Sequence, residues 1–140
     1  MSKESGLGFT TLSIDDNGGT LRDIRDDVTN FELSTPVAVQ DVTGVDKFAM
    51  ERLALLRDMS TTLNGVFDKA SNKAHAVFST VNLSSAVARE FTFTHSGQTI
   101  GTTNTPTLLF TDYALTRGAD GSLNWQAPGV LSNGVIPAWS

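Results

Sequence analysis

The 140-residue chain contains no cysteine, which excludes disulfides, thiolate metal ligands and cysteine nucleophiles. No apolar run approaches the roughly 20 residues that a membrane-spanning helix needs. The amino end, residues 1–6, leads into no apolar segment of the secretory type, so we expect no signal peptide. We therefore expect one domain that is stabilised by packing and, in an assembling protein, by contacts between copies.

Basic residues are also few, with 10 Lys and Arg against 15 Asp and Glu and a net charge of −5. They are scattered along the chain, whereas tight nucleic-acid binding requires clustered cations that displace counterions from phosphate. The sequence therefore argues against such binding. A charge of this size is ordinary for a soluble domain, although an acidic wall would also let DNA slide past without sticking.

Patterns that carry catalysis or metal binding are weak. The only histidines are His75 and His95, which form a poor metal site unless carboxylates join them. Either could serve as a general base, but no glycine-framed serine, phosphate loop or dinucleotide fingerprint accompanies them. Residues 15–19 (DDNGG) have their glycines too early for a calcium loop and favour a hairpin turn. We predict no enzymatic activity, no metal and no cofactor.

Alternation of apolar and polar residues predicts a mainly β fold. Near the carboxyl end, the turn signal Asp120-Gly121 is followed by alternating Leu123, Trp125 and Ala127, which predicts a hairpin with one face buried and Trp125 in the core. The predicted strands cover residues 9–14, 21–24, 31–33, 37–42, 59–67, 89–94, 108–116 and 123–127.

One helix is predicted over residues 69–81, with Asp68 as its cap. Its apolar stripe is formed by Ala70, Ala74, Val77, Phe78 and Val81, at helical spacing. A single covering helix fits a β-sandwich or barrel. Residues 46–57 are ambiguous, since their residue types favour a helix while neither the helical nor the strand period fits.

Four segments in order carry a family resemblance: residues 27–33 (DVTNFEL), residues 40–53 (QDVTGVDK…MERL), residues 63–68 (LNGVFD) and the carboxyl-terminal stretch from 111 to 139. Together they resemble the major tail tube proteins of long-tailed, siphovirus-like bacteriophages. In that family they would be the early strand, the inter-ring loop, the strand leading into the helix and the final hairpin. Sheathed, contractile tubes share the fold, so the type of tail stays open.

The resemblance implies a β-sandwich or barrel-like tail tube fold with one flanking helix and a long protruding hairpin over about residues 34–57. It makes part of the ambiguous segment extended. It also implies six copies in a ring whose inner sheets join into one barrel, and rings that stack head to tail into a tube. Neighbouring copies would then cover strand edges that are otherwise an aggregation liability.

The resemblance also suggests site residues. Contacts between subunits or rings are expected from Val37, Val39, Val42, Phe48, Met50 and Trp139, although burial within the monomer is the alternative for Phe48 and Met50. Carboxylates facing the lumen are expected to alternate with core residues, and the candidates are Glu32, Glu90 and Asp112.

The expected partners are other copies of the chain and the tape measure, tail terminator and baseplate proteins. Genomic DNA would pass through without specific binding. The expected location is the virion tail, assembled in the host cytoplasm.

A second hypothesis comes from another class of protein. A β-sandwich binding module, such as a virion decoration or receptor-binding domain, would also lack catalytic residues. It would be a compact monomer or trimer without a long protruding hairpin. A small hydrolase built on His75 or His95 is disfavoured.

Overall fold

The computed structural model describes residues 3–85, 87–101 and 105–140. The described residues are mainly β with one short helix, as predicted. The elements are β1 (Thr11–Asp15), β2 (Leu21–Asp23), β3 (Val28–Ser34), β4 (Val37–Asp41), β5 (Arg52–Arg57), β6 (Ser60–Val66), α1 (Ala74–Phe78), β7 (Arg89–His95), β8 (Gln98–Ile100), β9 (Thr107–Phe110), β10 (Ala114–Arg117) and β11 (Leu123–Leu131).

Nine strands form one sheet whose path runs β2-β1-β7-β9-β11-β6-β3, with β10 paired to β11 and β8 paired to β7. All of these pairs are antiparallel. Strands β4 and β5 pair only with each other, as a separate two-stranded sheet. The segment that the residue types left open between helix and strand therefore ends in a strand, β5.

The core is aromatic at its centre. The ring of Phe78 lies 5.0 Å from that of Phe110 and 5.3 Å from that of Trp125. Trp125 is 2% exposed, as predicted, and its indole N–H donates to the carbonyl of Val66 at 3.2 Å. At the neighbouring Gly65, a Cβ would collide with the Asp27 carbonyl and the Trp125 ring, so only glycine fits where β6 crosses beneath the tryptophan.

The helix is shorter than predicted, and its predicted cap is wrong. Asn72 adopts a φ of 64°, a left-handed conformation that interrupts helical geometry between Ala70 and Ala74. Asp68 bonds the Ala70 N–H within the preceding loop. The first helical N–H, that of Ala74, is instead satisfied by the Asp27 carboxylate at 3.0 Å, which performs the work of a cap from a distant segment.

Two strand predictions also need correction. The single strand predicted over residues 108–116 is two strands, β9 and β10, which follow the same edge of β11. Phe110 lies opposite Gly129 and Ala114 opposite Gln126, so the three residues 111–113 face only two residues of β11 and form a bulge. Strand β8 was not predicted. It follows a tight turn in which Ser96 and Gly97 both have positive φ.

Candidate functional site

Strands β3, β6, β11 and β10 form a continuous antiparallel part of the sheet with two unlike faces. On β6 and β11, the side chains of Leu63, Trp125 and Ala127 point into the core. The residues that alternate with them along each strand point to the opposite face. The register aligns Asn30 with Asn64 and Asn64 with Gln126 across three strands. This polar face consists mainly of amides and hydroxyls: Asn30, Ser34, Ser60, Thr62, Asn64, Thr116, Asn124 and Gln126. It also carries Glu32 and the apolar residues Val66, Ala114, Pro128 and Val130.

Glu32 is the one charged side chain on the polar face among the strands described. The structure does not bring the other two predicted carboxylates to it. Glu90 lies on β7, which β9 separates from β11 and hence from the four-stranded polar face. Asp112 lines a cavity beside α1 with Phe78 and Tyr113, on the side of the sheet that the helix covers. The reason is the bulge between β9 and β10, whose extra residue breaks the alternation on which the Asp112 prediction relied.

The two edges of this four-stranded part carry no further strand among the described residues. β3 pairs only with β6, and β10 pairs only with β11. Because each successive pair is antiparallel, β3 and β10 run in opposite directions. Unpaired edges of this kind present rows of free backbone N–H and C=O groups.

The β4–β5 hairpin is exposed along its whole length. Every residue of both strands is exposed, and at the tip Val45 and Phe48 are 109% and 107% exposed. Five of its nine exposed apolar residues were predicted from the sequence as contact residues. The other four, Val45, Leu53, Leu55 and Leu56, were not, although an apolar side chain within a polar loop is itself a signal. The exposed apolar residues are Val37, Val39, Val42, Val45, Phe48, Met50, Leu53, Leu55 and Leu56.

The loop of this hairpin is shaped by its own hydrogen bonds. Thr43 accepts from the Glu51 N–H at 2.8 Å and donates to the Glu51 carbonyl at 3.2 Å through the same hydroxyl. Asp41 accepts from the Thr43 N–H at 2.9 Å, and bonds from Thr43 hold the pKa of that carboxyl below its usual value. The tip therefore holds Val45 and Phe48 in water within an ordered loop.

Trp139 is 57% exposed and is fixed to the sheet through its backbone. It forms a bridge with Ile100, and the next residue, Ser140, exchanges two backbone hydrogen bonds with Thr99. The indole lines an apolar cavity of about 350 Å³ beside β3, together with Phe31 and others. The carboxyl end thus presents a large aromatic side chain near a free sheet edge.

Both histidine side chains contact other residues of the fold. His75 Nδ1 lies 3.2 Å from the Tyr113 hydroxyl, and burial raises the pKa of that tyrosine. His95 Nε2 lies 2.6 Å from the Ser5 carbonyl, and its ring stacks on Phe9 at 4.3 Å. Within residues 3–85, 87–101 and 105–140, no three His, Asp or Glu side chains are grouped so as to hold a metal. In the same ranges no helix is long and apolar enough to cross a membrane.

Two carboxylates are buried, and each accepts a backbone hydrogen bond. Asp15 is 8% exposed and accepts from the Glu90 N–H at 3.3 Å. Asp27 is 5% exposed and bonds the first residue of α1. Burial raises the pKa of both groups above 3.8. Arg89, which is 1% exposed, donates to the Val77 carbonyl and to Thr80, so the other end of the helix is held by a buried cation.

These shifts predict a pH dependence of stability. Because the folded-state pKa of Asp27 is raised, its ionised form opposes folding above that pKa, and the opposition is relieved as the pH falls toward 3.8. Asp27→Asn keeps an oxygen acceptor for the Ala74 N–H but cannot ionise. We expect the variant to gain stability relative to the unmodified chain as the pH rises. The difference in free energy of unfolding, variant minus unmodified chain, should be larger at pH 7 than at pH 4.5, as measured by urea denaturation.

Asp41→Asn is the matched control for that prediction. The pKa of Asp41 is lowered, so titration of this carboxyl changes the stability only below about pH 3.8. The stability of the Asp41→Asn variant relative to the unmodified chain should therefore stay constant between pH 7 and pH 4.5. Equal pH dependence in the two variants would contradict the assignment to Asp27.

Comparison with known proteins gives a likeness of fold. No family model and no curated protein sequence matches the chain. Among solved structures, a chain in the virion of a native gene transfer agent (GTA) particle superposes with a TM-score of 0.71 at 14% identity, covering 99% of both chains. A chain in the tail of an empty GTA particle, obtained by helical refinement with C6 symmetry, gives 0.70 at 15% identity, covering 99% of this chain and 98% of that one. At these identities the likeness establishes a shared fold over the whole chain.

Proposed function

We propose that this chain is the structural subunit of a phage-like tail tube. Copies close into six-membered rings, and the rings stack head to tail around a channel. The observation that carries the proposal is the four-stranded part of the sheet, which has two free edges of opposite direction and one polar, nearly uncharged face. The number six is taken from the C6 symmetry of the similar GTA tail.

The strand directions suit ring closure. If β3 of one copy pairs with β10 of the next, the junction is antiparallel like every pair inside the subunit. The alternation of strand direction then continues around the ring without interruption. A closed barrel removes both free edges, which accounts for two strands that each keep one unpaired edge among the described residues of the monomer.

The polar face is the one that turns toward the channel, because the opposite face is filled by the core. Amide and hydroxyl side chains offer phosphate no fixed positive charge, and each subunit adds one carboxylate, Glu32. A six-membered ring therefore carries six such carboxylates in its lumen. DNA would be repelled weakly and held nowhere.

Stacking is assigned to the β4–β5 hairpin. It leaves the sheet as a separate unit with its apolar side chains in water, and a free monomer gains nothing from that exposure. Burying the tip against the next ring is a heterologous contact, which does not close on itself and so extends a tube. Phe48 and Met50 belong to this contact. Trp139 is placed at the contact between neighbours within a ring.

The proposed setting is the tail of a virion or GTA-like particle, assembled in the host cytoplasm. Tape measure, terminator and baseplate proteins are the partners such a tube requires. The binding-module hypothesis predicts a compact molecule without a protruding hairpin, and the exposed hairpin favours the tube. A hydrolase is disfavoured because both histidines are engaged by Tyr113 and by the Ser5 carbonyl.

Negative-stain electron microscopy of the purified chain tests the function. We expect tubes with a central channel and six-fold end views, whose number rises steeply above a threshold protein concentration. Supplying a tail nucleator, such as a baseplate complex, should lower that threshold. A protein that stays monomeric at high concentration with nucleators present would contradict the proposal.

A further inference from the structure

Leu115 is an apolar side chain on a free edge of the sheet. It lies directly across from Trp125 and so shares the core-side face of the sheet, yet it is 49% exposed. Its strand neighbours Ala114 and Thr116 point to the polar face. The edge strand β10 therefore has an apolar side chain on the core side and faces the other way with Ala114 and Thr116. Among the described strands of the subunit, none lies beyond it to cover Leu115.

The opposite edge of the sheet has an apolar margin on the same core-side face. Phe31 and Leu33 of β3 point to that side and are only partly buried. Two cavities of about 350 and 360 Å³ lie along them, both lined by Phe9 and Phe31, and the first is completed by Phe93 and Trp139. We define the β3 margin as Phe9, Phe31, Leu33, Phe93 and Trp139.

We propose that Leu115 of each copy packs into the β3 margin of the neighbouring copy and thereby sets the register of ring closure. This inference rests on the proposed function, since it requires β10 of one copy to pair with β3 of the next. Strand pairing keeps faces together, so a side chain on the core side of β10 must lie on the core side of the neighbour's β3.

The consequence for register follows from the two-residue period of a strand. The β10–β11 pairing inside each subunit fixes the side to which Leu115 points, so the junction can slip only in steps of two residues. A two-residue slip would move Leu115 away from the aromatic margin and, in one direction, would put the charged Arg117 in its place. The pairing with Leu115 in the margin is favoured because it removes a leucine from water and fills the cavities.

The absence of cysteine makes a direct test possible. Leu115→Cys is combined with Phe31→Cys or with Leu33→Cys, and tubes of each double variant are oxidised and run on a non-reducing gel. Cβ atoms must approach within about 4.5 Å for a disulfide to form, so only residues on the same face of neighbouring strands will react. We expect covalent ladders up to hexamers from at least one of these pairs, with the loss of the monomer band.

The controls use the polar face. Thr116→Cys combined with Asn30→Cys or with Glu32→Cys should crosslink, because all three positions share that face. The mixed pairs, Leu115→Cys with Asn30→Cys or with Glu32→Cys, should not crosslink. Ladders from the mixed pairs would overturn the face assignment. Tubes in which the Thr116 pairs react and the Leu115 pairs do not would overturn the inference alone. Failure to form rings or ladders in any variant, with the chain folded, would sink the proposed function itself.

A second measurement removes any dependence on how well the double variants fold. Leu115→Ser should raise the threshold concentration for tube formation about tenfold or more, because a buried apolar contact is lost at every junction. Leu115→Met preserves an apolar side chain and should keep the threshold close to that of the unmodified chain. Equal thresholds for the Ser and Met variants would overturn the inference.

Discussion

Phe48→Ser is expected to abolish tube formation at concentrations where the unmodified chain assembles, while leaving the monomer as stable as before. Phe48 is 107% exposed, so its side chain contributes nothing to the packing of one subunit. In the tube it would be buried at every ring junction, where a phenylalanine contributes about 1.5–3 kcal/mol. That loss per subunit raises the threshold concentration roughly 10- to 100-fold.

Leu21→Ser provides the matched control for this prediction. Leu21 is 47% exposed on β2, at the end of the sheet farthest from β3, and is assigned to no contact between copies. Sedimentation against protein concentration gives the threshold, and thermal melting of the monomers checks the fold. If the Phe48 variant assembled at the same concentration as the unmodified chain, the hairpin would have no part in stacking.

Glu32→Lys should convert a passive channel into one that holds DNA. The substitution changes the charge by two per subunit and by about twelve per six-membered ring, and stacked rings repeat it along the tube. Glu32 is exposed and makes no ion pair among the described residues, so assembly itself should be unaffected. We expect a short single-stranded oligonucleotide to sediment with the variant tubes at low salt, to be protected from nuclease, and to be released as salt rises.

Glu90→Lys makes the same change of charge away from the four-stranded polar face, on β7. Any oligonucleotide that it binds should remain open to nuclease, which separates binding in the lumen from binding on the outside. Variant tubes at position 32 that bind no oligonucleotide, or bind it only where nuclease cuts, would remove Glu32 from the channel.

Local patterns in the sequence predicted the parts of the fold that depend on neighbouring residues. The turn at Asp120-Gly121 and the alternation after it gave the β10–β11 hairpin. The helix was overestimated because the left-handed Asn72 interrupts an otherwise regular apolar stripe. The residue that actually caps it, Asp27, is 47 positions from its partner, and such a pairing has no sequence period to reveal it.

The candidate site was predictable to the extent that it follows strand alternation. Glu32 is on the polar face because it alternates with Phe31 and Leu33. The role proposed for Leu115 was not predicted from the sequence because it depends on the order of strands in the sheet, which leaves β10 at an edge. Nothing in the residues around Leu115 distinguishes an edge strand from a central one.

The hydrogen bonds that Thr43 makes across the hairpin loop have a consequence for kinetics. A loop that is ordered before it docks loses little conformational freedom on docking. In the proposed tube, each incoming subunit would therefore add to a growing end without a slow rearrangement, and nothing in the subunit itself would stop growth. We therefore expect other proteins to set the length of the proposed filament, one that measures it and one that caps its end.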